Sequence, residues 1–119
     1  MIVYRLQISA DDDKAVGTLL GEPSSSGLSG LWFIERKSED SDHYVDYIAD
    51  FLAILKGKYE ALAEMGITRR DISVWMLREY DQQCNMEFSP AEMMRLGKEG
   101  ITLCVSCWKK ANASFDGEE

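Results

Sequence analysis

The chain has 119 residues, 45% of them hydrophobic and 29% charged, which suits one domain with its own core and no need of a metal or disulfide to fold. It carries 13 lysines and arginines against 21 aspartates and glutamates, a formal net charge of −8, which argues against direct nucleic-acid binding. No apolar run approaches the ~20 residues of a membrane span, and Met1–Arg5 has a strand pattern, not that of a secretion signal. We therefore expect a cytoplasmic protein that has no contact with a membrane.

The chain opens with a predicted strand over residues 2–9, because apolar and polar side chains alternate there. A short helix is predicted next, with Ser9 or Asp11 as its N-terminal cap and Gly21 at its end. Residues 22–30 are rich in serine and glycine, which is typical of a loop.

A second strand is predicted at residues 31–36 and the longest helix at about 42–65. Asp40 or Ser41 is the predicted cap of that helix, and apolar side chains recur along it at three- and four-residue steps. Gly57 lies inside the pattern, costs about 1 kcal/mol in a helix, and allows a bend there.

The last third of the chain has a boundary signal at nearly every joint. Residues 71–80 alternate as a third strand, and residues 86–88 predict a short extra strand after a polar turn. Residues 89–92, Ser-Pro-Ala-Glu, combine a capping serine, a first-position proline and the glutamate of a capping box. A final strand is predicted over residues 101–108, with Cys107 in its buried row.

This order of elements predicts an α+β fold: a single two-layer domain over residues 1–110, followed by a polar tail at 111–119. A mixed or antiparallel sheet of four or five strands should carry its helices on one face. The other face would be half polar and would bear tryptophans: Arg5, Gln7, Trp75, Thr102, Cys104, Ser106 and Trp108. Such a face is either covered by a loop or the tail of the same chain, or serves as a dimer or ligand interface.

The cysteines give a weak signal. Cys104 and Cys107 have the C-x-x-C spacing of some zinc and redox sites, but within a strand their side chains point to opposite faces. Cys84 stands alone, and His43 is the only histidine, so the four ligands of a structural zinc are not expected. We expect three free thiols, with Cys107 in the core, no metal and no cofactor.

Residues for catalysis are also lacking. Asp40, Asp42 and Asp46 surround His43 and could orient it as a base, although a first-turn histidine in solvent explains the same pattern. The chain has no Gly-x-Ser-x-Gly elbow and no phosphate-binding glycine loop. We therefore expect a protein that is not an enzyme and has no catalytic residue.

Four short motifs follow one another along the chain. They are Leu20-Gly21-Glu22-Pro23, Leu31-Trp32-Phe33, Ser89-Pro90 and the segment from Leu96 to Leu103. In this order, over about residues 2–108, the chain resembles a widespread bacterial family of small domains of unknown function. The resemblance implies a fold and no catalytic residue. Some domains of this kind lie beside toxins and are thought to be immunity proteins, which implies an intracellular inhibitor.

The sequence thus predicts a small acidic intracellular protein that docks on another protein and inhibits it, as immunity proteins and phage-borne inhibitors do. The expected partner is a basic protein, steered by carboxylates that include Asp11, Asp12 and Asp13. The predicted partner-binding residues are Trp75, Trp108, Arg5, Asp42, Asp46 and Asp50.

Two alternatives remain open. One is a small-molecule-binding or hydrolytic domain with a pocket near loops 22–30 and 81–88. Its polar groups would be Glu79, Asn85, Glu87 and Arg5. The other is a homodimer in which the tryptophan-bearing sheet face is the contact between subunits.

Overall fold

The computed structural model describes residues 1–25, 29–38 and 46–110. Four strands form one sheet: β1 (Ile2–Ser9), β2 (Leu31–Ser38), β3 (Ile72–Tyr80) and β4 (Thr102–Lys109). Four α-helices and a short 3-10 turn connect them: α1 (Asp13–Leu20), α2 (Tyr47–Leu55), α3 (Tyr59–Glu64), the turn Arg69–Asp71, and α4 (Pro90–Glu99).

The sheet has the strand order β2-β1-β3-β4. The first strand lies in the interior and pairs antiparallel with both β2 and β3, whereas β3 and β4 pair parallel. The connection between parallel strands must cross over the sheet, and α4 makes that crossover. The predicted α+β class is confirmed: a mixed four-stranded sheet with helices packed on it.

The hydrophobic core lies on one face of the sheet. Tyr4, Leu6 and Ile8 supply the row from β1, and each of the four helices buries at least one side chain against the same cluster. Trp32 is 1% exposed, and its indole N–H donates a hydrogen bond to the carbonyl oxygen of Gly21 at 3.0 Å. All four helices therefore lie on the same side of the sheet.

The helix predicted over residues 42–65 is not continuous. Between α2 and α3 the chain turns at Gly57, whose φ is +76°. The N–H of Lys58 donates to the carbonyl of Leu55 at 2.9 Å and closes the turn. The caps predicted at residues 40 and 41 fall outside the described residues.

Two helix starts rest on side-chain caps. At α1 the cap is Asp12 and not Ser9 or Asp11, because the Asp12 carboxylate accepts the N–H of Ala15, the third residue of the helix. At α4 the predicted capping box is confirmed: the N–H of Glu92 donates to the Ser89 hydroxyl at 3.1 Å, and the Glu92 carboxylate accepts the Ser89 N–H at 3.0 Å.

The short strand predicted at residues 86–88 is wrong. Met86 and Phe88 are partly buried against the core, but this segment pairs with no strand of the described chain. The apolar side chains of Met86 and Phe88 pack against the core, and their backbone does not pair with a strand of the described sheet. The predicted tail, residues 111–119, lies outside the described residues. Within the described ranges, no helix is both long and apolar enough to cross a bilayer.

Candidate functional site: the open face of the sheet

The sheet face opposite the core receives none of the four described helices, and we call it the open face. Because successive residues of a strand point to opposite sides, its members follow from the pairing register. Its side chains are Val3, Arg5, Gln7, Ser9, Leu31, Phe33, Glu35, Lys37, Ser73, Trp75, Leu77, Glu79, Thr102, Cys104, Ser106 and Trp108.

Arg5 occupies the middle of the open face. It lies opposite Glu35 in the ladder, and its Nε and Nη2 atoms donate to one carboxylate oxygen at 2.9 and 2.6 Å. Its guanidinium also lies 4.4 Å from the centre of the Phe33 ring, a cation–π contact that covers this side chain. Two neighbours therefore fix the position of Arg5.

The two tryptophans of the predicted site share this face with Arg5. Trp75 lies between Arg5 and Cys104 in the ladder, and its indole N–H donates to the Ser73 hydroxyl at 2.9 Å. Trp108 lies opposite Glu79 on the edge strand and is 44% exposed. The open face thus presents one oriented and one freely accessible indole.

The predicted acidic residues lie elsewhere. Asp46 caps α2 by accepting the N–H of Ala49 at 3.1 Å and also accepts a 2.8 Å hydrogen bond from Arg95. These two bonds, that of Arg95 foremost, hold the pKa of Asp46 below its ordinary value. Asp50 is exposed in the first turn of the same helix, and Asp42 lies outside the described residues. The predicted site is therefore divided between opposite layers of the molecule.

Much of the surplus negative charge belongs to two segments that join the sheet at one end. Because β2, β3 and β4 run in the same direction, Ser38 and Lys109 lie at the same end of the sheet. In the sequence, residues 39–43 after β2 include the carboxylates Glu39, Asp40 and Asp42 and no lysine or arginine. Residues 110–119 after β4 include Lys110 and the carboxylates Asp116, Glu118 and Glu119.

The polar groups of the predicted pocket do not converge. Arg5 is bound to Glu35 on the open face, while the carbonyl of Asn85 accepts a hydrogen bond from Arg78 at 3.2 Å. A surface depression of about 440 Å³ at this end of the sheet includes Glu79 but none of the other three predicted groups. His43 lies outside the described residues. The geometry gives no support to a hydrolytic site here.

The cysteine prediction needs two corrections. Cys107 is exposed and is not a core residue, because it lies near the end of the edge strand β4, where side chains are exposed. Cys84 does not stand alone, since its Sγ atom lies 3.4 Å from that of Cys107. Cys104 points to the open face, so the C-x-x-C residues are on opposite faces as predicted. In the described part of the chain, no three ligating side chains are grouped to hold a metal ion.

Sequence reasoning missed the partners of Arg5. Glu35 and Phe33 are 30 and 28 positions away in sequence, and only the register of β1 against β2 brings them to it. The alternation of apolar and polar residues in both strands indicates which side chains share a face, but it does not indicate which residues of the two strands pair.

The fold defines the class of protein: a two-layer α+β domain in which the described helices cover only one face of the sheet. Comparisons of the chain with models of protein families, with curated proteins and with solved structures find no match. The resemblance to a bacterial family of small domains stays a prediction.

Proposed function

We propose that this chain is a small acidic binding protein that docks through its open face on a basic protein and inhibits it by covering its surface. The observation that carries the proposal is the placement of Arg5, Trp75 and Trp108 together on a sheet face that no described helix covers. Tryptophan and arginine are the residues in which binding energy most often concentrates at protein interfaces.

Two side chains of the open face are preorganised for binding. Glu35 and Phe33 hold Arg5, and Ser73 orients the Trp75 ring. A side chain already held in place loses less entropy when a partner arrives, about 0.5–1.5 kcal/mol less for each ordered group. The open face therefore favours rigid docking over a fold-on-binding mode.

Charge indicates the chemistry of the partner. The chain carries a formal charge of −8, which attracts a basic protein and repels nucleic acid. The association rate with such a partner should fall as salt is added, because ions screen the attraction beyond about 10 Å at 0.1 M. The free thiols of the chain suit a reducing compartment, and the cytoplasm is the proposed location.

The test is capture of a partner by wild type and by two aspartate variants. Trp108→Asp changes the open face, and Met94→Asp is the matched control, since Met94 is 64% exposed on α4. A protein from the source cells should bind stoichiometrically to wild type and to Met94→Asp. With the purified partner, Trp108→Asp should raise Kd by about thirtyfold, the loss of an interface anchor.

Three results would count against the proposal. They are the absence of any stoichiometric partner, equal capture by all three proteins, and a wild-type dimer in light scattering that Trp108→Asp converts to monomer. The last would show that the open face is a contact between two copies of this chain.

A further inference from the structure

Two cysteines that are far apart in the sequence meet at the edge of the sheet. Cys84 lies in the segment between β3 and α4, which has no regular secondary structure, and Cys107 lies near the end of β4. Their Sγ atoms are 3.4 Å apart. Cys107 is exposed and Cys84 is partly exposed, so a small reagent in solvent can reach the pair.

We propose that Cys84 and Cys107 are an oxidation site, which a low-molecular-weight disulfide such as glutathione disulfide converts into an intramolecular disulfide. The bond would fasten the segment after β3 to the edge strand. This inference does not depend on the proposed binding function, and each can fail without the other.

Neighbouring contacts hold the two thiols close. Arg78 lies opposite Cys107 in the parallel ladder, and its guanidinium donates to the carbonyl of Asn85, the residue after Cys84. This bond keeps the segment beside β4. A disulfide requires sulfurs about 2 Å apart, so they must approach by little more than ~1 Å. The exposed residues 81–83 leave the segment room to make that movement.

The exchange balances in two steps. The thiolate of one cysteine attacks the small disulfide, whose S–S bond breaks to release one thiolate and leave a mixed disulfide on the protein. The second cysteine then gives its proton to solvent and attacks the protein sulfur of that mixed disulfide, releasing the second small thiol. The two protein thiols lose two electrons and two protons, and the small disulfide becomes two thiols.

The pair also affects the rate of its own reaction. The neighbouring Cys84 thiol, by hydrogen bonding, raises the pKa of Cys107, and some desolvation adds to the rise. Because the thiolate is the attacking form, attack by Cys107 should be slower at neutral pH than attack by an ordinary thiol, and faster as the pH is raised.

The third cysteine provides a matched control. Cys104 lies on the open face, beside Trp75 in the ladder, and cannot reach Cys107 without disrupting β4. The experiment compares the full-length wild type with Cys84→Ser, Cys107→Ser and Cys104→Ser, each incubated with glutathione disulfide and then alkylated. Trypsin releases Cys84 in residues 79–95, whereas Cys104 and Cys107 share residues 99–109.

Before alkylation, the intact masses of wild type and Cys104→Ser should each fall by two hydrogens, and after alkylation and digestion each should give a cross-linked peptide joining 79–95 to 99–109. Cys84→Ser and Cys107→Ser should give no such link and at most glutathione adducts. Closing a loop of this length stabilises the folded chain by about 2–4 kcal/mol and should raise the Tm of the oxidised chain by about 8–15 °C over the reduced chain.

A link between Cys104 and Cys107, a disulfide-linked dimer, or glutathione adducts alone on the wild type would overturn the proposal. So would an oxidised chain with a Tm no higher than that of the reduced chain, since the bond would then not fit this fold. A failed partner capture would leave this result untouched.

Discussion

Gly57 separates α2 from α3, and its replacement by alanine distinguishes a turn from a continuous helix. Its φ of +76° lies in the left-handed region, and an added Cβ would meet no atom within 4 Å. The backbone conformation alone therefore decides the effect of Gly57→Ala. If residues 47–64 were one helix, the same substitution would stabilise the protein, because alanine is a better helix former than glycine.

The size of the effect follows from two opposing contributions. A left-handed conformation costs an L-residue roughly 1–2 kcal/mol. Alanine also restricts the unfolded chain, which returns about 0.4–1 kcal/mol to the folded state. We expect Gly57→Ala to lower the free energy of unfolding by about 1 kcal/mol.

Gly97 is the matched control, because it lies within α4 and a Cβ there also meets nothing within 4 Å. Gly97→Ala should raise the free energy of unfolding by about 0.5–1 kcal/mol. Gly57→Asn should cost less than Gly57→Ala, because asparagine visits the left-handed region more readily. Urea unfolding followed by far-UV circular dichroism measures all three variants.

The decisive comparison is the sign of the two alanine variants. The reasoning predicts opposite signs and a difference of about 2 kcal/mol, or roughly 8 °C in Tm for a chain of this size. If Gly57→Ala stabilises the protein as much as Gly97→Ala does, then α2 and α3 form one continuous helix, and the turn described at Gly57 is refuted.

Two further predictions concern the helix layer. Ser89→Ala removes the hydroxyl that accepts the N–H of Glu92 and should lower the free energy of unfolding, measured by urea unfolding, by about 1 kcal/mol. Ser89→Asp should retain most of the stability, because aspartate also caps a helix. Equal losses in the two variants would exclude the cap. Arg95→Gln should raise the pKa of Asp46 toward its ordinary value of 3.8, measured by NMR titration. Because the pKa of Asp46 is lowered in the folded state, the stability from this pair is present above about pH 4 and is lost as the pH falls through the folded-state pKa. Wild type should therefore lose more stability in acid than Arg95→Gln. Parallel plots of stability against pH for the two proteins would contradict this.

The parts of the fold that could be predicted from the sequence depend on neighbours a few positions apart. Alternation along residues 2–9 identifies a strand, and the four residues from Ser89 to Glu92 are sufficient for a capping box. Both signals are local, because a strand face repeats every two residues and the cap reaches three residues forward.

The sequence predicts two elements wrongly, because tertiary packing and not the local pattern decides their structure. The apolar pattern runs through Gly57 without interruption, but the chain turns there so that both short helices contribute to the core. Met86 and Phe88 alternate like a strand, but they pack against the core and pair with no described strand. Periodicity identifies a buried face and does not say what buries it.

The same limit applies to the candidate site. That Arg5 and Trp75 point away from the core follows from strand parity, but their adjacency requires the pairing of β1 with β3. Cys84 and Cys107 are 23 positions apart and meet only because α4 carries the chain back beside β3. The C-x-x-C spacing relates Cys107 to Cys104, whose side chain lies on the opposite face of the sheet.

The interior position of β1 also affects how the protein assembles. This strand is synthesised first, but it pairs with β2 and with β3, whose last residue is Tyr80. The ribosome must therefore release the chain through β3 before the central ladder can close. Such distant pairing predicts folding in milliseconds to seconds, not microseconds, with nascent β1 exposing Leu6 and Ile8 until its second neighbour arrives.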